Sequence, residues 1–357
     1  MSRLKVAVIG AGFISSNRHI PAWKSIGSEA EVVGLSDLNR DMAAKTAAQF
    51  DIKGVYNDAA EMITREQPDV VDICTPPATH AKIAAMAMDH GCHMLIEKPM
   101  ALSIGDCDAI VQGARQRGVQ VCVAHTGLFY EPFIRGRELV ERGAIGKFMG
   151  MRIVISTPTD YLTSNAQHWA HKLPGGAIGE TGPHAVYMSL AFIKHVERVT
   201  VDGAKLLSQY PWSRFEDYRI NLVGDTGISS ISVNYATSQW MVWVEIAGTD
   251  GTLLLDLHGR SVVRRRRARL KPMAVGLSVL SEGAQLFKEA MLTGFRLATL
   301  RTASTHDRLI RAFAESLLNR TSAPVTAEEG REAVRIMTMI VDQLHEQTGR
   351  TVTSATA

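Results

Sequence analysis

The stretch Val6-Ala7-Val8-Ile9-Gly10-Ala11-Gly12-Phe13-Ile14-Ser15 opens the chain with an apolar strand that runs directly into a glycine turn. A second apolar stretch, 31–36, ends at Asp37. Gly10 allows a tight turn, Gly12 allows the backbone to approach a pyrophosphate, and the helix that follows directs its free N–H groups at the phosphates. Asp37 lies 25 residues after Gly12 (37 − 12), close to the spacing of roughly 20 residues at which an acid holds a ribose. The pattern predicts a dinucleotide-binding site.

The acid also indicates which nucleotide binds. A carboxylate accepts hydrogen bonds from a free ribose diol and repels a 2′-phosphate, so Asp37 favours NAD over NADP. Arg40 complicates this prediction, because its guanidinium could pair with a phosphate or stack on adenine. Phe13 and Ile14 lie in the turn itself, and we expect them to line the same site.

Length and composition are those of a soluble protein with two cores. The 357 residues include 46% hydrophobic and 21% charged residues. No apolar run is as long as a membrane span and no signal peptide precedes the first strand, so we expect a cytoplasmic protein. A net charge of +3 gives no argument for a nucleic-acid partner. Four cysteines without metal spacing are expected to be reduced and mostly buried: Cys74, Cys92, Cys107 and Cys122.

Strand and helix signals alternate through the first third of the chain, which indicates a doubly wound parallel sheet. Beyond His125 the pattern changes to long stretches of alternating polarity, which indicate an antiparallel sheet with one covered face. We therefore predict an α/β Rossmann domain at 1–124, an α+β domain with a large, open, mainly antiparallel sheet at 125–350, and a frayed tail at 351–357. The predicted helices are 40–50, 78–89, 104–117, 133–142 and 327–345, the last with Thr326 as N-cap; the later strands are 69–73, 93–96, 119–123, 148–156, 198–207, 218–222, 227–235, 241–248 and 251–257.

Glu97-Lys98-Pro99 directly follows the predicted strand 93–96. Because proline excludes the helical region for the residue before it, we expect Lys98 to be extended at the carboxyl end of the strand, where such sheets bind ligands. A lysine there can donate to a substrate hydroxyl, or exchange its proton if burial lowers its pKa. A solvated lysine at a strand end is the alternative, and the triplet alone leaves both open.

A second cluster follows the glycines at 175 and 176. If the segment from Glu180 is helical, Glu180 and His184 lie four residues apart on one face, where the carboxylate can orient the imidazole. A capping glutamate and a core histidine are the structural alternatives. A metal site formed by His168, His171, Glu180 and His184 is a rival interpretation, since these side chains are competent zinc ligands. We expect no metal, because hydride transfer to a nucleotide needs none.

Taken together, these segments resemble the Gfo/Idh/MocA family of NAD(P)-dependent oxidoreductases. The matching blocks occur in order: the Gly10/Gly12 turn, Cys74-Thr75-Pro76-Pro77-Ala78-Thr79-His80, Glu97-Lys98-Pro99, and the glycine-acid-glycine-x-His run that ends at His184. The resemblance covers nearly the whole chain. It implies a Rossmann domain followed by a domain whose open sheet often makes oligomer contacts through its outer face, and hence a homo-oligomer.

The resemblance also implies roles for individual residues. Lys98 matches the lysine of the family's Glu-Lys-Pro motif, and Glu180 and His184 match an aspartate and the catalytic histidine. Trp169 matches a tryptophan that the family places near the nicotinamide. Four more residues match positions on the cofactor side: Thr75, Pro76, His80 and Glu97.

Two departures from the family pattern concern the substrate. Glu180 replaces the commoner aspartate and reaches one methylene further. Gly127-Leu128-Phe129-Tyr130-Glu131-Pro132 replaces an Asn-x-Arg-aromatic-x-Pro segment and removes its polar contacts. We expect Tyr161, His168 and His171 to contact the substrate in their place.

The implied reaction is hydride transfer at a hydroxyl-bearing carbon of a sugar, cyclitol or sugar derivative. In oxidation, His184 or Lys98 takes the hydroxyl proton while the other stabilises negative charge on the oxygen. A redox-assisted glycosidase or lyase that retains its NAD is one alternative. A regulatory protein that binds NAD without turnover is another.

One basic segment, 264–301, fits none of these roles. Arg264-Arg265-Arg266-Arg267 precedes apolar residues at helical spacing, and Arg301 ends the segment. A basic amphipathic helix can lie on an anionic membrane or cover a lipid-linked substrate. We favour the alternative, in which the helix packs against the open sheet or a partner subunit.

Overall fold

The computed structural model describes residues 3–266, 270–299 and 303–354, without the side chains of Leu297 and residues 348–354. The chain divides into two compact units. One contains Met1–Phe129 and Ala303–Arg335, and the other contains Tyr130–Thr302 and Ile336–Ala357.

The first unit is built on a six-stranded parallel sheet of order β3-β2-β1-β4-β5-β6. This is the predicted doubly wound architecture. Its strands are β1 (Leu4–Ile9), β2 (Ala30–Ser36), β3 (Gly54–Tyr56), β4 (Val70–Ile73), β5 (His93–Ile96) and β6 (Val121–Val123). Its helices include α1 (Ile20–Ser25), α2 (Arg40–Gln49), α3 (Ala59–Glu66), α4 (His80–Asp89) and α5 (Ile104–Arg117); a π-helical turn, Ser15–His19, precedes α1.

Local sequence chemistry sets several of these helix ends. Asn39, Asp58 and Ser103 cap α2, α3 and α5 by accepting a backbone N–H three residues on. The predicted helices 40–50 and 104–117 are confirmed to within one residue. The sequence analysis missed β3 and α3, because β3 has only three half-buried residues and gives no periodic signal.

The division of the chain differs from the sequence expectation of a break after residue 124. Residues 303–335 belong with the first unit, because helix α9 (Thr305–Leu318) buries Leu309, Ile310 and Phe313 in that unit's core. The Val123 N–H also donates to the Val325 carbonyl at 3.1 Å beside the edge strand β6. A late part of the sequence therefore completes the first core.

The second unit is built on a seven-stranded sheet of order β13-β12-β11-β7-β10-β9-β8. Only the β7–β10 pair is parallel, so the expected mainly antiparallel sheet is confirmed. The strands are β7 (Phe148–Pro158), β8 (Val196–Ala204), β9 (Asp217–Gly224), β10 (Gly227–Thr237), β11 (Met241–Gly248), β12 (Gly251–Asp256) and β13 (Ser261–Arg265); the helices are α6 (Glu131–Glu141), α7 (Ala177–Leu190) and α8 (Pro272–Thr299).

Helix α7 covers one face of this sheet. Residues of β10 alternate between buried and half-buried, and the Ser189 hydroxyl of α7 lies 2.7 Å from the buried Ser229 hydroxyl of β10. Trp243 of β11 and Ile228 of β10 are about half exposed. The alternation that predicted one covered face is therefore confirmed.

The last helix, α10, spans Ala327–Ser354. Its predicted N-cap is confirmed, because the Glu329 N–H donates to Thr326 Oγ1 at 3.3 Å and the Thr326 N–H donates to Glu329 Oε2 at 2.8 Å. The helix continues beyond the predicted end at His345, so residues 351–354 of the expected frayed tail are helical. Residues 355–357 lie outside the described residues, as do Arg267 and Arg301 of the predicted basic segment.

Two further findings concern the cysteines and the hydropathy of the helices. All four cysteines are buried and unpaired by disulfides, as predicted. In the described parts of the chain, the structure contains no helix both long and apolar enough to cross a bilayer.

Candidate functional site

The glycine turn after β1 is shaped for a close backbone approach. Gly10 has φ +102°, and a Cβ there would lie 2.8 Å from the Cys74 carbonyl oxygen, so no larger residue fits. A Cβ on Gly12 would meet nothing within 4 Å, so the space beside this backbone is open. These two features fit a bound dinucleotide phosphate.

Asp37 is fixed beside this turn at the end of β2. Its Oδ2 accepts the Ala11 N–H and its Oδ1 accepts the Asn39 N–H, both at 2.8 Å. The carboxylate therefore anchors the glycine turn. Around it, Phe13 and Arg40 are exposed and Ile14 is half-buried.

His80 connects the two loops that follow β4 and β5. The ring is fully buried, with Nε2 2.8 Å from the Thr75 carbonyl oxygen and Nδ1 3.1 Å from the Pro99 carbonyl oxygen. Burial lowers the pKa of His80. The buried ring lies between the two carbonyl oxygens and so holds the two loops together. Thr75 and Pro76 lie in the first of these loops.

Glu97 belongs to a buried polar network that the sequence analysis did not find. His19 lies between two carboxylates, with Nδ1 3.0 Å from Asp72 and Nε2 2.8 Å from Glu97 Oε1. The Trp23 indole N–H also donates to Asp72 at 2.8 Å. The His306 ring of α9 lies beside the His19 ring, tilted by 58°, with the ring centroids 5.4 Å apart. We call His19, Asp72, Glu97 and His306 the buried network.

The charges of the buried network follow from this geometry. Burial alone would lower the pKa of His19, but the Asp72 charge and hydrogen bond raise it well above its ordinary value. Burial would raise the pKa of Glu97, but the hydrogen bond and charge of His19 bring it down to about 2. Burial and the neighbouring His19 charge lower the pKa of His306 to about 4. The His19 imidazolium therefore hydrogen-bonds to two carboxylates, and the His306 imidazole is neutral.

This network reaches the predicted catalytic lysine through the backbone. Glu97 Oε2 accepts the Lys98 N–H at 3.0 Å, and Lys98 is half-buried directly after β5. The Lys98–Pro99 peptide bond is cis. The buried carboxylate thus fixes the main chain from which the lysine projects.

In the second unit, Glu180 and His184 both lie on α7, four residues apart as predicted. His184 Nδ1 is 2.5 Å from the hydroxyl of Tyr187, which is almost fully buried on the same helix. Glu180 Oε2 accepts the Thr181 hydroxyl at 3.0 Å. Sequence reasoning missed Tyr187, although its position three residues after His184 is the spacing at which helical side chains meet.

An aromatic cluster of the second unit contains all three predicted substrate residues. Tyr161 contacts His168 and Trp240, with ring centroids 5.6 and 4.7 Å apart. His168 contacts Trp169 and His171 at 5.9 and 6.4 Å. Tyr161, Trp169 and Trp240 are each about half exposed. Trp240, a lone tryptophan in a polar turn, was missed. We call these five residues the aromatic cluster.

Hydrogen bonds indicate the tautomers of the two imidazoles of the aromatic cluster, His168 and His171. His168 Nδ1 accepts the Ala170 N–H, which leaves its proton on Nε2, and burial lowers the pKa of His168 while the Glu180 charge opposes this. The His171 ring lies with Nε2 3.2 Å from the Leu162 carbonyl, so that nitrogen donates. Glu180 is therefore close enough to the aromatic cluster to act on it electrostatically.

The rival metal site is not supported by the geometry. Among the described residues, ligand atoms of three such side chains come within 4.8 Å of one another only in two sets, His19 with Glu97 and His306, and His19 with Asp72 and Cys74. Neither set contains His168, His171, Glu180 or His184. Within the buried network, the 2.8 Å contact of His19 with Glu97 is a hydrogen-bond distance.

Comparison with known proteins decides the family. Residues 4–125 match the Gfo/Idh/MocA oxidoreductase family with its NAD-binding Rossmann fold, and residues 133–254 match the Gfo/Idh/MocA C-terminal domain. The chain belongs to the Gfo/Idh/MocA family. The Rossmann fold of the first unit is accordingly the NAD-binding domain of an oxidoreductase.

Curated relatives of this Gfo/Idh/MocA chain include dehydrogenases. A D-apiose dehydrogenase of Paraburkholderia graminis is 29% identical over 289 residues, which is 77% of this chain and 75% of the relative. An NADP(+)-dependent scyllo-inositol 2-dehydrogenase of Bacillus subtilis is 24% identical over 76% of this chain and 83% of the relative.

A solved structure shows the same fold. A levoglucosan dehydrogenase in complex with NADH and levoglucosan superimposes with a TM-score of 0.79 at 17% identity, over 97% of this chain and 98% of that one.

Proposed function

We propose that this oxidoreductase transfers hydride between NAD and a hydroxyl-bearing carbon of a sugar, cyclitol or sugar derivative. The observation that carries the substrate class is the aromatic cluster, in which half-exposed rings alternate with imidazoles beside Glu180. Aromatic faces pack against the apolar C–H faces of a sugar ring, while a few polar groups fix its hydroxyls. The relatives that act on apiose, inositol and levoglucosan agree with this class.

In this proposal, His184 acts through its bond to Tyr187. When the Nδ1–H of His184 donates to the Tyr187 oxygen, Nε2 is the basic nitrogen and takes the proton of the substrate hydroxyl. The buried phenol fixes both the tautomer and the ring orientation. NAD, when held at the Gly10/Gly12 turn, would supply the acceptor for the hydride that leaves the hydroxyl-bearing carbon.

Lys98 supplies the second charge. Its ammonium stabilises negative charge that develops on the substrate oxygen. In the alternative, Lys98 takes the proton as the neutral amine, and His184 stabilises that oxygen as the imidazolium. Glu97 holds the lysine backbone at 3.0 Å, which limits the positions the ammonium can reach. Glu180 binds a neighbouring hydroxyl, and His168 donates from Nε2 to another.

Asp37 determines the proposed preference for NAD. Both of its oxygens are already oriented by backbone N–H groups, so its negative charge is fixed next to the ribose position. A 2′-phosphate there would be repelled by the negative charge of this carboxylate. Thr75 and Pro76 line the same side, on the loop that His80 holds, and Trp169 stacks near the nicotinamide.

We further propose that the sheet face opposite α7 makes a homo-oligomer contact. Trp243 and Ile228 leave an exposed apolar area there. Light scattering should show a lower mass for Trp243→Asp than for wild type, while the exposed Trp212→Asp keeps the wild-type mass. An equal mass for wild type and Trp243→Asp would contradict this contact.

The activity is tested by following NADH formation over a panel of sugars, cyclitols and nucleotide sugars. We expect at least one to be oxidised, and expect Lys98→Met and His184→Ala to lower kcat by about a hundredfold or more. Lys82→Met and His90→Ala are matched controls on the exposed side of α4 and its end, and they should behave as wild type.

The rival functions give different results in the same assay. An enzyme that retains and recycles its NAD converts glycosides without net NADH, and a regulatory protein binds NAD without converting anything. If Lys98→Met and His184→Ala both oxidise substrate at the wild-type rate, the catalytic assignment is wrong.

A further inference from the structure

Helix α8 packs with its polar side against its own unit and its apolar side toward solvent. An amphipathic helix on a globular protein normally does the reverse. The contacts of this helix, its exposed surface and its charges together indicate what covers the apolar side.

The polar side is held by specific bonds within the second unit. Gln285 pairs with both backbone groups of Arg264 on the edge strand β13, accepting the N–H at 2.9 Å and donating to the carbonyl at 3.0 Å. The amide thus satisfies an open sheet edge as a strand would. Two ion pairs add to this, between Arg265 and Glu282 and between Arg135 and Glu289, each at 2.7 Å.

These bonds fix how the helix is rotated. Glu289 is buried and its ion pair with Arg135 uses both guanidinium nitrogens of the fork. Arg296, about two turns further on, pairs with Glu131 at 3.2 Å. The helix therefore cannot turn its apolar side inward without breaking charge pairs that are partly shielded from water.

The outward side is a continuous apolar surface. At 3.6 residues per turn it covers about half of the helix circumference. Eight large residues on it are each at least half exposed: Met273, Leu277, Val279, Leu280, Leu286, Phe287, Met291 and Phe295.

The charges beside this surface have one sign. The helix contains two acids, Glu282 and Glu289, and both pair with arginines on the packed side. Lys288, the residue after Phe287, is exposed. Among the described residues of the helix it is the one charged side chain outside the packed side, and a cation beside an apolar surface complements an anionic lipid surface.

We propose that α8 is an interfacial membrane helix, which buries its apolar side in the headgroup region of an anionic bilayer. A second copy of the chain is the rival occupant. A two-helix contact covers only a narrow seam, so Val279 and Leu286, at one margin of the surface, would stay exposed. A bilayer covers the full width, and Lys288 would meet lipid phosphates rather than the same lysine of a second copy.

The test is flotation of the full-length protein with phosphatidylcholine vesicles, with and without phosphatidylglycerol, at physiological salt. We expect binding to the anionic vesicles that weakens as salt is added. Phe287→Ser combined with Met291→Ser should lower the partition coefficient by about a hundredfold, because two large side chains lose their burial. Leu206→Ser, at a similarly exposed site in the same unit, should bind as wild type.

The charge contribution is tested separately. Lys288→Gln should weaken binding to anionic vesicles by about fivefold, and Lys147→Gln, an exposed lysine elsewhere in the unit, should not. Circular dichroism and thermal unfolding establish that each variant is folded, which is expected because the replaced side chains are exposed.

Three results would overturn the proposal. The first is wild-type protein that floats with neither vesicle. The second is a serine double variant that floats like wild type. The third is a wild-type oligomer that dissociates in the double variant while neither protein binds lipid, which would assign the surface to a second copy.

Discussion

Replacing His19 with glutamine removes the cation that pairs with two buried carboxylates, Asp72 and Glu97. Asp72 is fully buried, Glu97 nearly so, and each lies within 3.0 Å of an imidazole nitrogen. Removing one partner of a buried ion pair costs about 3–5 kcal/mol, because the remaining charge is left without compensation. We therefore expect His19→Gln to lower the free energy of unfolding by about that amount.

A matched control exists in the same chain. His195 and Asp225 form a similar pair at 2.7 Å, but their side chains are 83% and 53% exposed. His195→Gln should cost about 0–1 kcal/mol, since water already solvates both groups. Urea unfolding followed by tryptophan fluorescence measures both variants, and hydrogen exchange of peptides from β4 and β5 reports the first unit separately.

The pH dependence of the stability lost in His19→Gln is a second, independent test. Because the pKa of His19 is raised in the folded protein, its contribution is fully present below the unfolded pKa of about 6.5 and declines as pH rises toward the folded value. The stability difference between wild type and His19→Gln should therefore shrink above that pH by about 1.4 kcal/mol per pH unit. A cost no greater than that of His195→Gln, or a difference that grows with pH, would refute the reasoning.

Three further substitutions test the proposed site. Asp37→Asn should shift the ratio of kcat/KM for NADP over NAD upward by about tenfold, because the charge that repels a 2′-phosphate is gone; Asp41→Asn is the control, and an unchanged ratio would remove Asp37 from cofactor selection. Tyr187→Phe should lower kcat by about tenfold with little change in KM, since His184 loses its orienting partner; a kcat equal to that of Tyr210→Phe would show that the phenol has no positioning role. Gly10→Ala should weaken NAD binding in calorimetry and destabilise the protein by more than about 1 kcal/mol, because its Cβ would lie 2.8 Å from a carbonyl oxygen; Gly118→Ala, also at positive φ but in open space, should retain NAD binding, and equal binding by both variants would contradict the close approach at the turn.

Features that depend on neighbouring residues were readable in advance. The turn at Gly10, the cap at Thr326 and the helix pair of Glu180 and His184 each follow from spacing and backbone preference within a few residues. The sheet classes followed from the period of the apolar residues, because a strand covered on both faces and one covered on one face need different patterns.

Features that depend on residues distant in the sequence could not be predicted from it. Nothing near His19 indicates that it meets Asp72, 53 positions on, or Glu97, 78 positions on. The sequence shows the amphipathic pattern of α8 but not which side faces the unit, because the ion pair that decides it joins Glu289 to Arg135, 154 residues earlier.

The sequence by itself thus determined the two sheet classes, the glycine turn with its acid, and the order of the motifs. The tertiary structure alone decided that α9 completes the first core, that an imidazolium lies between two buried carboxylates, that Tyr187 meets His184 and that α8 turns its apolar side outward. The physical reason is that turn chemistry and periodicity are local, whereas burial and charge pairing depend on which chain segments the fold brings together.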